Sequence, residues 1–456
     1  MPINTLHDSF SSVPLVIACH IKYVSIALPT NAYKIVLHNK EGETLMLDEL
    51  FILSQTFLRI RNRSFKRYFL RDTPLTNRFS IIVGQRGIGK TTAMIQHLLE
   101  QYSNDRFTRK ALYLQADHFQ VSRSSLYEIA DDFHKMGGEL ILFDEIHKYR
   151  DWSMELKSIS DTFPSLKIVA SGSSALEITK GSHDLSRRAL VYRMYGMSFR
   201  EYIGMLCGID LHQVDLDSII TGHQQAADAI IQELEANGKK VLALFRDYLA
   251  VGYYPYFLEY NDRAQFYMTL DQNVHTTLES DLMAIHQSLN GSSIQKIEKL
   301  LAVISSLVPY TPDMKNLKNL LDIGDERTLK TYLKYLDDAG IILTLGRSGK
   351  GLRAMEKPAK IYLNNPSLYH ALATAEKPES GAIRETFFLN MLRTHHEVSA
   401  AERGDFLVNG NLIFEVGGKN KKGSQIKGVE RSWLAVDDIE VGSGNRIPLW
   451  LFGFLY

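Results

Sequence analysis

One segment of the 456-residue sequence combines glycine, lysine and threonine at the spacing that can hold a triphosphate. The pattern G-x-x-x-x-G-K-[ST] fits eight consecutive residues, here called the phosphate loop: Gly84, Gln85, Arg86, Gly87, Ile88, Gly89, Lys90 and Thr91. In such a loop the backbone N–H groups surround phosphate oxygens, the lysine neutralises the β and γ phosphates, and the hydroxyl ligates Mg²⁺. The loop therefore predicts binding of ATP and Mg²⁺, with Thr92 as a further phosphate-site residue.

Two carboxylates follow an apolar run further along the chain. Residues 140–143 lead directly into Asp144 and Glu145, which places both acids at the carboxyl end of a predicted strand. We expect Asp144 to hold the magnesium ion, directly or through water, and Glu145 to orient and polarise the attacking water. A glutamate there favours hydrolysis over passive binding. The alternative is a solvated acidic strand end.

Three further residues are candidates for contacts with the γ phosphate. Ser171 follows another apolar run and is the candidate sensor, but a serine there also suits the N-cap of a strand-to-helix turn. Arg187 and Arg188 precede a strand-like run, and either could reach the γ phosphate of a neighbouring subunit in a homo-oligomer. A surface ion pair explains these arginines equally well.

The elements that must position these residues alternate between strand-like and helical patterns. The apolar runs are at residues 79–83, 111–114, 140–143 and 167–170. This order is typical of a parallel sheet with helices on both faces, and hence of an α/β protein.

Beyond the sheet the chain predicts a helical region and then two short helices joined by a tight turn at Gly324-Asp325. Two strand-like runs follow those helices, an order that indicates a winged helix-turn-helix. A small α/β module ends in an apolar run predicted as a strand. The predicted segments are an extension at 1–45, a nucleotide-binding core at 46–200, a helical lid and connector at 201–295, the winged helix at 296–378 and the terminal module at 379–456. We interpret residues 1–45 either as an added element or as sequence that precedes a start of translation at Met46.

Composition excludes several classes of protein. The 52 Lys and Arg residues balance 52 Asp and Glu residues, so contact with nucleic acid depends on local basic patches. Two cysteines are too few for a disulfide framework or a tetrahedral zinc site. No apolar run reaches the roughly 18 residues of a membrane helix. We therefore expect a cytoplasmic protein that does not contact the membrane.

Several motifs together resemble a known family. They are DEIHKYRDW at 144–152, FP at 163–164, SGSS at 171–174, MSFREY at 197–202 and KIYL at 360–363. The sequence from residue 46 to residue 456 resembles prokaryotic AAA+ P-loop ATPases of the AAA_14 type, whose members carry a C-terminal domain of unknown function, DUF4143. The resemblance implies an AAA+ core, a winged helix and a terminal fold similar to restriction endonucleases.

That terminal fold brings a second set of candidate residues. Restriction-type nucleases place a helical Glu, an Asp and a Glu-x-Lys pair around a metal ion. Glu385, Asp405 and Glu415 match the first three positions, but Gly417 stands where the lysine is expected and Lys419 is displaced by two residues. We expect a degenerate nuclease site that binds without efficient cutting. An ATP-regulated DNA endonuclease is the alternative.

Basic residues at 59–71, in the predicted winged helix and at 419–427 favour weak contact with duplex DNA. Winged helices also bind proteins, so an unknown protein partner stays open. The residues concerned include Arg67, Arg327, Lys330, Lys334, Arg347, Lys350, Arg353, Lys421, Lys422 and Lys427. The hypothesis is an ATPase that couples Mg-ATP turnover to its C-terminal region. The alternative is a nucleotide-gated binding module with negligible turnover.

Overall fold

The computed structural model describes residues 40–172, 185, 187–286, 289–347, 357–372 and 379–456, with the side chains of 40–45, 284 and 285 excepted. The chain divides into two units, Met1–Glu49 and Leu50–Tyr456. Helix α1 (Lys40–Arg61) begins in the first unit and ends in the second, to which all the other elements belong. Within the described residues no helix has the length and apolar character needed to cross a bilayer.

A five-stranded parallel sheet forms the centre of the second unit. Its strands are β1 (Phe79–Val83), β2 (Ala111–Gln115), β3 (Leu140–Asp144), β4 (Lys167–Gly172) and β5 (Leu190–Arg193). Their spatial order is β2-β3-β4-β1-β5, and every neighbouring pair is parallel. The first four strands are the apolar runs of the sequence, so the predicted parallel sheet is confirmed.

Helices α2 (Tyr68–Asp72), α3 (Lys90–Gln101), α4 (Leu126–Lys135) and α5 (Trp152–Thr162) alternate with these strands. Helix α4 shows why the sequence folds this way locally. Ser125 and Glu128 form a reciprocal capping box at its start, and the apolar residues that follow at helical spacing are all buried.

A helical region follows the sheet, as the sequence predicts. It comprises α6 (Phe199–Cys207), α7 (Leu216–Ala236), α8 (Val241–Val251), α9 (Arg263–Thr276), α10 (Leu282–Ile285) and α11 (Gly291–Leu307). Pro255–Glu259 forms a 3-10 turn between α8 and α9, and Thr277–Asp281 is a π-helical turn between α9 and α10. The turn Pro255–Glu259 contributes to the lining of the candidate site described below.

Helices α12 (Met314–Leu320) and α13 (Glu326–Asp338) precede the antiparallel strands β6 (Ile342–Leu345) and β7 (Lys360–Leu363). The side chain of Asp325 caps α13 by accepting the N–H of Thr328 at 2.9 Å. These elements occur in the order predicted for a helix-turn-helix and two strands. Residues 348–356, with the predicted wing cations Lys350 and Arg353, lie outside the described residues.

Helix α14 (Pro366–Ala371) precedes the terminal module, which starts with α15 (Ser380–Leu392) and contains a second five-stranded sheet. Its strands are β8 (Val398–Ala400), β9 (Phe406–Val408), β10 (Leu412–Gly417), β11 (Ser432–Val436) and β12 (Arg446–Pro448), in the spatial order β12-β11-β10-β9-β8. The predicted final strand is wrong for most of its length, because Leu449–Phe454 is a 3-10 helix after Pro448. Proline has no N–H to continue a strand ladder.

One buried ion pair joins the segment before the sheet to α6. Arg67 Nε and Nη2 donate to the two carboxylate oxygens of Glu201 at 2.7 and 3.0 Å. Arg67 Nη1 also donates to the carbonyl oxygen of Ile88, in the phosphate loop, at 2.6 Å. Burial alone would lower the pKa of Arg67, but Glu201 reverses the effect and raises it. The expectation that Arg67 contributes to a DNA-binding patch is therefore wrong, because its charge is used inside the protein.

Removing one member of this pair is expected to destabilise the fold strongly. Glu201→Gln or Arg67→Met leaves a buried group without its partner, which costs about 3–5 kcal/mol in other proteins. Chemical denaturation measures the free energy of unfolding. The control is Arg71→Ala, because Arg71 and Asp210 pair at 3.0 Å with side chains 40% and 80% exposed and such pairs contribute about 0–1 kcal/mol. Equal losses in control and test variants would contradict the role given to the pair.

Candidate functional site

The phosphate loop connects β1 to α3 and depends on its glycines. Gly87 and Gly89 have φ angles of +82° and +101°, in the left-handed region that favours glycine. At Gly84 a Cβ atom would lie 2.4 Å from the main-chain oxygen of Met194. The loop can therefore approach the end of β5 and turn sharply into α3 only with glycine at these positions.

Lys90, the first residue of α3, is buried beneath this loop. Its Nζ atom donates to the carbonyl oxygens of Gly84 at 3.0 Å and Gln85 at 2.7 Å. Burial lowers the pKa of Lys90, and the carboxylates of Glu145 and Asp144 oppose this shift. The ammonium group is thus held inside the loop, where bound phosphate oxygens would replace the two carbonyls as its partners.

Several of the predicted residues donate hydrogen bonds to the carboxylate of Asp144 at the end of β3. The hydroxyls of Thr91 and Tyr113 donate to Oδ2 at 2.6 and 2.7 Å. The Ser171 hydroxyl and the Glu145 N–H donate to Oδ1, the latter at 3.1 Å. Thr91, Asp144 and Ser171 are therefore brought together, and Ser171 contacts the carboxylate that we expected to hold magnesium.

Glu145 lies next to this cluster with a φ of +53°. Its Oε2 atom is 3.6 Å from Lys148 Nζ and 3.8 Å from His147 Nε2. Lys148 also pairs with Asp117 at 2.7 Å. Burial lowers the pKa of His147 to about 4, so the ring is neutral at pH 7. Lys148 is accordingly a nearby cation that, together with Lys90, balances the Glu145 charge.

A cavity of about 640 Å³ opens beside these residues. The lining includes Lys90, Thr91, Thr92 and Glu145; four arginines are also in the lining, namely Arg61, Arg63, Arg67 and Arg86. The remaining lining mixes polar residues with aromatic and apolar ones, among them Phe65, Met205, Pro255, Tyr256 and Tyr260. The volume lies within the usual range for small-molecule sites. Cations suit a triphosphate and flat rings suit a nucleobase.

Arg187 and Arg188 are not among the residues that line this cavity. Arg188 instead donates through Nε and Nη2 to both carboxylate oxygens of Asp161 on α5, at 2.6 and 2.8 Å. Arg187 is exposed near the start of β5. Within one chain, the surface ion pair is thus the arrangement seen for Arg188.

The phosphate loop also contacts the turn that follows α13. The side-chain amide of Gln85 donates to the carbonyl oxygen of Gly340. Gly340 has a φ of +72°, and a Cβ atom there would lie 2.6 Å from Cγ of Gln85. The turn after α13 therefore contacts the phosphate loop through its main chain.

The three acids of the terminal module are each paired with a lysine. Lys360 Nζ, on β7, lies 3.2 Å from both Glu385 Oε2 and Asp405 Oδ1. Burial and the nearby Asp405 raise the pKa of Glu385, and Lys360 opposes that shift. Lys421 Nζ lies 3.2 Å from Glu415 Oε1. Ammonium groups thus stand among these acids and compensate part of their negative charge.

Lys421 lies near Gly417, the position at which the nuclease pattern requires a lysine. A Cβ atom at Gly417 would lie 2.5 Å from Cγ of Lys421, so the Lys421 stem covers the place where the pattern requires a lysine. The main-chain oxygen of Lys419 accepts Nη2 of Arg446 at 2.9 Å. The cation beside Glu415 is therefore Lys421, whereas the sequence pointed to Lys419.

Sequence reasoning missed Tyr113 and Lys360, which contact the two carboxylate clusters. Tyr113 stands in the apolar run of β2, where its hydroxyl is the polar atom that must find a partner. Lys360 begins a strand-like run and offered no comparable signal. Lys360 contacts Glu385 and Asp405, which lie 25 and 45 positions further along the sequence.

Comparison with known proteins agrees with this geometry in part. The AAA domain family AAA_14 matches residues 76–203. A domain of unknown function, DUF8612, matches residues 242–379, a region in which the sequence resemblance implied DUF4143. An uncharacterised protein of Methanocaldococcus jannaschii is 26% identical over 294 residues, which are 62% of this chain and 59% of the relative. The match thus spans about three fifths of the length of that curated relative.

Solved structures with a similar arrangement are remote. A Walker-type ATPase of Pyrococcus abyssi has 11% identity and a TM-score of 0.35, over 74% of this chain and 96% of that chain. AMPPCP-bound DnaA from Aquifex aeolicus has 14% identity and a TM-score of 0.25, over 59% and 87%. PCH-2 of C. elegans has 16% identity and a TM-score of 0.23, over 65% and 70%. It is the match to AAA_14, together with the sheet and the loop, that identifies residues 76–203 as an AAA-type P-loop domain.

Proposed function

We propose that the protein binds and hydrolyses ATP with Mg²⁺. The observation that carries the proposal is the placement of Lys90, Thr91 and Glu145 on one cavity large enough for a nucleotide. Arg61, Arg63 and Arg86 of the cavity add positive charge for the triphosphate, and Phe65 and Tyr256 supply aromatic rings for the base.

Thr91 and Asp144 are the residues that would hold magnesium. A hydroxyl and a carboxylate are oxygen donors of the kind Mg²⁺ prefers, and here they already share a 2.6 Å hydrogen bond. The bound ion supplies positive charge to the β and γ phosphate oxygens. The protein contributes Lys90 to the same oxygens and holds Ser171 on the opposite oxygen of Asp144.

Glu145 is the proposed general base. Its carboxylate faces the cavity from the end of β3 and can accept a proton from a water placed in line with the γ phosphate. Lys148, at 3.6 Å, restrains the carboxylate without burying it. Arg187 and Arg188 stay proposed contacts in trans, which would require a homo-oligomer in which Arg188 exchanges Asp161 for phosphate.

Lys90→Ala is expected to weaken ATP binding severely. The change removes the cation that faces the β and γ phosphates in a closed loop, where their charge is poorly screened. Titration with a fluorescent ATP analogue measures the dissociation constant. The control is Lys135→Ala, because Lys135 is 65% exposed on α4 and pairs with Asp131. Unchanged affinity in Lys90→Ala would refute the assignment of the phosphate loop.

Glu145→Gln is expected to retain ATP binding and to lose turnover by roughly 100-fold or more, the scale of a lost general base. Phosphate release and analogue binding are measured on the same preparation. Glu139→Gln serves as the control, since Glu139 lies at the opposite end of β3 and pairs with Lys110 at 2.8 Å. A variant that hydrolyses at the native rate would remove Glu145 from the mechanism.

A second candidate function is contact with duplex DNA through a winged helix. A cavity of about 200 Å³ lies between α13 and β6 and is lined by four cations: Lys330, Lys334, Arg347 and Lys357. Lys330 pairs with Glu326 at 3.1 Å and Lys334 with Asp338 at 2.6 Å. These acids reduce the net charge of the helix, so we propose weak binding that does not depend on sequence. A protein partner at the same face is the competing proposal.

Replacing Lys330 and Lys334 together with Ala is expected to weaken binding to unrelated duplexes about equally. Each lost phosphate contact lowers the slope of log affinity against log salt by roughly 0.9. Fluorescence anisotropy at several salt concentrations measures both quantities. The control is Lys110→Ala with Lys135→Ala, which removes the same charge from ion pairs on the core domain. If both double variants bind DNA like the native protein, DNA contact through α13 is excluded.

A further inference from the structure

The phenol of Tyr113 is built into the carboxylate cluster at the end of β3. Tyr113 lies in the middle of β2 and is fully buried. Its hydroxyl donates to Asp144 Oδ2 at 2.7 Å, and the Thr91 hydroxyl donates to the same oxygen at 2.6 Å. One carboxylate oxygen thus accepts two hydrogen bonds from hydroxyl groups, one from the phosphate loop and one from a neighbouring strand.

Helix α1 holds this tyrosine in place from outside the sheet. Strand β2 is at the edge of the sheet, and the N–H of Tyr113 donates to the Ser54 hydroxyl at 3.1 Å. The ring of Phe57 packs against the Tyr113 ring, with centroids 5.8 Å apart and planes inclined by 62°. Backbone and ring are therefore both fixed by α1, and this leaves the phenol little freedom to turn away from Asp144.

The phenol is the donor in this contact, because its hydroxyl hydrogen points at the Asp144 carboxylate oxygen. Hydrogen bonds to carboxylates are among the stronger ones in proteins.

We propose that Tyr113 is a positioning residue for the magnesium site. This inference rests on the proposed ATPase function and adds a residue to it. By occupying one acceptor direction of Oδ2, the phenol stops the Asp144 carboxylate from rotating. With the carboxylate fixed, the Thr91 hydroxyl keeps its proton directed at Oδ2. The lone pairs of the Thr91 oxygen are then available to the ion. Groups that orient metal ligands in this way typically change metal affinity or activity by 10–100-fold.

The test compares two buried tyrosines. Tyr113→Phe removes one hydroxyl and leaves the ring. Tyr248→Phe is the matched control, because Tyr248 is also buried and its hydroxyl donates to the carbonyl oxygen of Met197 at 2.7 Å. Both changes delete a buried hydrogen bond of equal length, so a merely structural role predicts similar effects in both.

The measured quantity is the Mg²⁺ concentration that gives half-maximal ATPase activity and half-maximal tightening of a fluorescent ATP analogue. We expect Tyr113→Phe to raise it roughly tenfold or more, while analogue affinity in EDTA stays at the native value. We expect Tyr248→Phe to leave the Mg²⁺ dependence unchanged. If Tyr113→Phe does not fold, Ser54→Ala, which removes the acceptor of the Tyr113 N–H, is expected to give a smaller shift in the same direction.

The outcomes separate this inference from the function on which it rests. Native protein that binds no analogue in EDTA or Mg²⁺ would overturn the proposed ATPase function and the inference with it. Native protein that binds and hydrolyses ATP, with Tyr113→Phe showing the native Mg²⁺ dependence, would overturn the inference alone. A tenfold shift in both tyrosine variants would assign Tyr113 a structural role and would also reject the proposal.

Discussion

The buried guanidinium of Arg67 is the interaction on which the candidate site depends. It binds Glu201 through two hydrogen bonds and the Ile88 carbonyl through a third, at 2.6 Å. Glu201 in turn accepts the N–H groups of Tyr68 and Ser198 at 2.7 and 3.1 Å. The N-terminal ends of α2 and α6 and the phosphate loop are therefore all hydrogen-bonded to one buried ion pair. A buried pair tolerates little displacement, because each charge that leaves its partner pays the cost of desolvation alone.

The core and its loop could be predicted from the sequence because their signals are local. Eight consecutive residues define the loop, and the apolar run before Asp144 and Glu145 defines β3. In a parallel sheet the carboxyl ends of strands share one edge, so Ser171 at the end of β4 had to lie near Asp144. In the structure the Ser171 hydroxyl donates a hydrogen bond to the Asp144 carboxylate.

The rest of the site depends on pairings that no local pattern reveals. Arg67 and Glu201 are 134 residues apart, and Arg67 stands in a stretch whose other basic residues are largely exposed. In the terminal module the pattern required a lysine at Gly417, and glycine there suggested that the charge was lost. Instead Lys421 reaches Glu415 from a loop four residues further on. The cation beside Glu415 therefore comes from a loop residue that the spacing of the pattern does not reveal.

The contact between Gln85 and Gly340 has a consequence for how this chain can vary. The amide of Gln85 meets a main-chain oxygen, and the space beside it exists because residue 340 has no side chain. A larger residue at 340 would be strained by its positive φ and would collide with the glutamine stem. A shorter residue at 85 would instead leave the carbonyl without its donor. Two positions 255 residues apart, one in the nucleotide-binding domain and one beyond the helical region, thus constrain each other in size.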